Sequence, residues 1–162
     1  MRMALPALIC ATLLSTGPAW AGSAEVVYEH PERYTDIGPQ RDAESVQKIL
    51  TSQLQELAAT RLPAGQTLQL VITDIDLAGE IPPASRHLHD VRVMGRLPDW
   101  PRITLRFSLQ EGGRALAEGS ETVSDMAYLM RSTSAGGSGA LPYEQRMLSD
   151  WFDHRFGKLV RR

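Results

Sequence analysis

The sequence predicts an α+β fold: a two-layer sandwich whose mostly antiparallel sheet of about four or five strands is covered on one face by two amphipathic helices. Three observations predict it. Residues 41–62 carry apolar side chains every three or four positions, residues 102–109 alternate apolar and polar one by one, and residues 142–160 return to the helical period. Helices with one apolar stripe each need an apolar surface to cover, and a half-wet sheet provides it.

The chain opens on Met1-Arg2-Met3, an apolar run from Ala4 to Leu14, then Ala19-Trp20-Ala21. A basic start, a short apolar core and a small-x-small site make up a secretory signal. The run is about 11 residues, where a bilayer span needs roughly 20. We therefore expect residues 1–21 to be cleaved and the protein to be periplasmic or secreted, with no transmembrane segment after cleavage. The only cysteine, Cys10, leaves with the signal, so the mature chain is cysteine-free. Disulfides, thiol catalysis and thiolate metal sites are excluded with it. Removing the first 21 of 162 residues leaves 141, the size of one domain, at 22–162. Arg2 is the only charge removed, so the net charge moves from −2 to −3. That balance, without a basic stripe, argues against a nucleic-acid partner.

Residues 24–28 (Ala-Glu-Val-Val-Tyr) predict a short strand stopped by His30-Pro31. From Arg41 to Leu62 the apolar stripe is Val46, Ile49, Leu50, Leu54, Leu57, Ala58 and Leu62, with Asp42 and Glu44 in the first turn and Pro63-Ala-Gly65 as the stop. Thr67–Leu77 is the strongest strand. Asp90–Met94 predicts a short one closed by Gly95. In Arg102–Leu109, Ile103, Leu105, Phe107 and Leu109 alternate with Arg102, Thr104, Arg106 and Ser108, which predicts one buried and one wet sheet face. Glu111-Gly-Gly-Arg114 is a hairpin turn returning as Ala115–Val123. Residues 132–139 are a flexible loop by composition. Pro142 then opens a helix to about Val160, whose broad face is Met147, Leu148, Trp151, Phe152, Phe156, Leu159 and Val160.

Asp74 and Asp76 stand two residues apart on a strand, so their side chains share a side. Counting by twos, they continue the row of Leu68, Leu70 and Ile72, turning an apolar face acidic at its end, with Glu80 able to reach back from the loop. Such a pair could bind a hard cation or divide acid and base roles. It could equally cap loop amides or pair with Arg92, Arg102 or Arg106. His87 and His89 alternate in an extended segment, a spacing that suits zinc or copper, but the further ligands such a site needs are not visible in the sequence. No nucleophile elbow, phosphate loop or dinucleotide fingerprint occurs. The aromatic residues at helical spacing belong to a core. Trp100, between Pro98 and Pro101, is the candidate partner contact.

Several segments occur together: His30-Pro-Glu-Arg-Tyr-Thr-Asp36, Leu62-Pro-Ala-Gly-Gln66, Thr73-Asp-Ile-Asp-Leu-Ala-Gly-Glu80, Asp90-Val-Arg-Val, Trp100-Pro-Arg-Ile, Asp125-Met-Ala-Tyr-Leu129, and Tyr143-Glu through Asp150-Trp-Phe152. In this order they resemble an exported bacterial family catalogued as domain of unknown function 3016. The resemblance implies an exported α+β domain and carries no catalytic residue, cofactor or activity. The expected function is thus a non-catalytic binding or envelope-associated module that needs no cofactor, its partner a protein, an envelope component or a small ligand. The alternative is a metal-binding protein or metal-assisted hydrolase using Asp74, Asp76, His87 and His89.

Overall fold

The computed structural model of the protein describes residues 21–81, 92–95, 98–130 and 140–157. The first 20 residues of the expected leader, His87, His89, the expected loop at 132–139 and residues 158–162 lie outside the described residues. The elements are β1 (Ser23–Tyr28), a 3-10 turn at Pro31–Arg33, α1 (Gln40–Arg61), β2 (Gln66–Asp76), β3 (Arg102–Glu111), β4 (Arg114–Ser124) and α2 (Pro142–Phe156). The four strands lie in chain order, with β1 parallel to β2 and the other pairs antiparallel. This is the α+β two-layer sandwich the periodicities predict.

Alternation sets the layers. Leu68, Leu70 and Ile72 of β2 and Ile103, Leu105, Phe107 and Leu109 of β3 are buried in one core with Leu50, Leu54, Leu57 and Ala58 of α1 and Leu148, Phe152 and Phe156 of α2. Both helices therefore cover the same sheet face. They are tied together by Arg61, which donates to the carbonyl of Ser149 at 3.1 Å and to its hydroxyl at 2.8 Å. Phe107 meets Trp151 and Phe156 edge-on, at centroid distances of 6.1 and 5.6 Å. β4 passes close over that ring at Gly119, where a Cβ would stand 2.8 Å from Phe107 Cε1. The β3–β4 hairpin closes through Gly112 (φ 56°) and Gly113 (φ 80°), the left-handed pair a two-residue turn requires.

The uncovered face is largely polar and cross-linked, with Val27 of β1 exposed among the polar groups. Ser23 bonds Thr67, Gln110 bonds Gln69 and Thr104 bonds Thr122, each at 3.1 Å, and Arg106 donates to Glu29 at 2.7 Å.

Two expectations change. The register of β2 against β3 shifts between Ile72 and Asp74, so Thr73 is an extra residue, and Ile75, fully buried, takes the next core position. A bulge reverses the parity of everything after it, so Asp74 and Asp76 fall out of the Leu68, Leu70, Ile72 row. The predicted strand at Asp90–Met94 adds nothing to the sheet among the described residues. Val93 forms a single isolated bridge with Glu80, both of its backbone bonds being made there.

Candidate functional site

The chemistry-bearing residues gather where β1 and β2 end. β1 ends at Tyr28, and two residues later His30 takes a left-handed conformation (φ 56°, ψ 53°). The proline after it disfavours the right-handed helical region, and the left-handed His30 leads the chain into the 3-10 turn. After the 3-10 turn the chain comes back alongside β2. Asp36 N–H donates to Ile75 O at 2.9 Å, and Leu77 N–H donates to Asp36 O at 3.0 Å.

Asp74 and Asp76 serve this junction separately. The two oxygens of Asp74 accept from the N–H and hydroxyl of Thr35, at 2.7 and 2.8 Å. Asp76 pairs with Arg102, whose guanidinium also lies 5.6 Å from the ring centre of Trp100. Trp100 itself is half-buried. The acidic pair is thus the capping and arginine-paired arrangement, with each carboxylate engaged by its own partner. Among the described residues no three His, Cys, Asp or Glu side chains gather as a metal site; His87 and His89 lie outside them.

The Asp76–Glu80 stretch is gripped from two sides. Arg92 donates to three successive carbonyls, Leu77 at 3.0 Å, Ala78 at 2.8 Å and Gly79 at 2.6 Å, and pairs with Asp36 at 2.6 Å. Glu144, only 2 % exposed in the first turn of α2, accepts the Ala78 N–H at 2.7 Å. Burial raises the Glu144 carboxyl above its ordinary value, while that N–H bond and the charge of Arg92 pull the other way. Gly79 (φ 73°) leaves no room for a side chain, because a Cβ would stand 2.8 Å from Val93 O.

Two hollows flank Thr35. One, of about 420 Å³, is lined by Glu29, His30, Arg33, Thr73, Asp74 and Arg106; the other, of about 490 Å³, by Pro31, Tyr34, Ile37, Ala43, Glu44 and Gln47. Tyr34 anchors the wall between them by donating to Ile72 O at 2.7 Å. Burial, with nearby Tyr28 adding to it, pushes the Tyr34 hydroxyl up to about 12.

A second feature lies beyond β4. Residues 125–130 form consecutive tight turns, with Ala127 N–H on Asp125 Oδ1 at 3.1 Å and Met130 N–H on Ala127 O at 2.9 Å. They are held from inside. Tyr128 is buried and donates to Asp99 at 2.7 Å, and buried Arg146 donates to Tyr128 O at 2.8 Å and to Asp125 at 3.0 Å. Burial, with the bond to Asp99 next, pushes the Tyr128 hydroxyl up to about 12. Outward stand Met126, Leu129 and Met130, which are 73, 50 and 90 % exposed.

Sequence reasoning missed Arg92, Glu144 and Arg146 as organisers, since most of their partners are backbone groups brought close by the fold. The one available signal was Glu144, a charge one turn before Leu148 on the side the period of α2 assigns to the core.

The family described as Protein of unknown function (DUF3016) matches residues 22–154. No curated protein and no solved structure matches the chain. No helix among the described residues is long and apolar enough to cross a membrane.

Proposed function

Because the chain belongs to the DUF3016 family, which comes without an activity, we propose on physical grounds that it is an exported, non-catalytic binding module. Residues 1–21 act as a cleaved secretory signal and residues 22–162 work in the periplasm or outside the cell, on the support of Arg2, the apolar run and Ala19-Trp20-Ala21. The partner is a protein or an envelope component.

The observation that carries this reading is the turn at 125–130. Elsewhere among the described residues the exposed large apolar side chains, Val27, Val93 and Leu116, sit singly in separate segments, whereas here three stand together in water over a buried anchor of Tyr128 and Arg146. Covering such a side chain is worth about 1.5–3 kcal/mol, and Met and Leu adapt to varied partner surfaces. The carboxylates that could have served as acid and base are taken up by Thr35, Arg102 and Arg92.

The test is photo-crosslinking in producing cells from position 130, with positions 100 and 108 as references. A discrete adduct from position 130, lost in Leu129→Asp while the protein stays folded, is the expected result. Equal labelling from position 108, or none from 130, removes this surface from the proposal. Substrate turnover abolished by Asp74→Asn in a folded protein removes the non-catalytic reading.

A further inference from the structure

Four methionines lie among the described residues, and the fold sorts them. Met147 is 3 % exposed in the core. Met94 is half-buried, its sulfur against Gly79 where a Cβ would stand 2.5 Å away. Met126 and Met130 are 73 and 90 % exposed. The bonds that hold their turn run through Asp125, Ala127, Tyr128 and Arg146, and none runs through a methionine side chain.

We propose that Met126 and Met130 are a modification site, oxidised to methionine sulfoxide by peroxides without loss of the fold. The thioether sulfur attacks one peroxide oxygen, and the S–O bond forms as the O–O bond breaks. Sulfur gives up two electrons and the peroxide is reduced. The attacked oxygen sheds its proton, and the departing oxygen takes one up to leave as water. One peroxide is consumed for each sulfoxide formed. The sulfoxide is polar, and at these two positions it points into water, so no buried contact is broken. At Met147 the same change would place a polar oxygen in the core, and the peroxide must first wait for a local opening. In the protein free of any partner, the pair therefore reduces two peroxides, four electrons in all, at no cost to the fold.

The experiment treats the purified protein with hydrogen peroxide. It follows each methionine by peptide mass spectrometry and the packing of Trp151 by near-ultraviolet circular dichroism. Met126 and Met130 should each gain one oxygen at the rate of a free methionine amide. Met147 should react slower by about tenfold or more, and the near-ultraviolet signal should hold until it does. A Met126→Leu, Met130→Leu variant, changed only on the surface, should lose the fast phase and keep the slow one. Fast oxidation of Met147, protection of Met126 and Met130, or collapse of the near-ultraviolet signal with the first oxygens would each overturn the proposal.

Discussion

Arg92 and Asp36 meet at 2.6 Å and join two stretches of chain, the one returning from the 3-10 turn and the one leaving β2. The same guanidinium fills three carbonyls of the second stretch, so its removal strands three backbone acceptors at once and leaves the Asp36 carboxylate with the Gly38 N–H in place of its cation. Arg92→Ala should lower unfolding free energy by about 3 kcal/mol, read as a lower urea midpoint at unchanged slope. Arg92→Lys should restore little, because a point-like ammonium cannot serve this fork of acceptors. A change in Arg92→Ala under about 0.5 kcal/mol, the scale of a neutral surface substitution, would refute the role.

Glu144 gives a pH dependence of definite sign. Its carboxyl is raised above 4.5 in the folded protein, chiefly by burial, so between that ordinary value and the folded one the native state holds more protons than the unfolded state. The stability slope is then negative. The contribution is fully present below the ordinary value and disappears as pH rises through the folded one. The difference between wild type and Glu144→Gln, followed by urea unfolding from pH 4 upward, should fall in that window, since Gln keeps an acceptor for the Ala78 N–H and does not titrate. A flat difference would show that Glu144 titrates alike folded and unfolded.

Gly119 is demanded by packing. Its Cβ would stand 2.8 and 2.9 Å from two ring carbons of Phe107, and that ring is pinned by Trp151 and Phe156. Gly119→Ala should destabilise by about 1–3 kcal/mol and disturb the near-ultraviolet signal of Trp151. Paired with Phe107→Leu, which shortens the obstructing group, the two losses should sum to more than the double variant shows.

Asp74 holds Thr35 through both oxygens. Asp74→Asn leaves one acceptor where two are used and should cost about 1 kcal/mol. The sharper readout is local: amide exchange at Thr35 should quicken while that of β3 is unchanged. Unchanged exchange at Thr35 would remove the capping role.

The layers were legible because long periodic segments carry them. The stripe from Val46 to Leu62, the alternation from Ile103 to Leu109 and the Glu111–Arg114 turn each name an element and its buried side. What escaped was set by single residues. The side taken by Asp74 and Asp76 depends on one unpaired position, which counting by twos passes over. Val93 looks like strand but among the described residues has Glu80 alone as its β-partner. Arg92 grips carbonyls that every residue possesses, so no spacing betrays it.

The sides taken at the end of β2 depend on Thr73 staying out of the ladder. Paired in the ladder as an ordinary position, Thr73 would carry Ile75 out to water and turn both aspartates into the greasy layer beneath the helices. A relative aligned with a gap at this one point keeps Ile75 inward and both aspartates outward, because Ile72, Asp74 and Ile75 then alternate without a bulge.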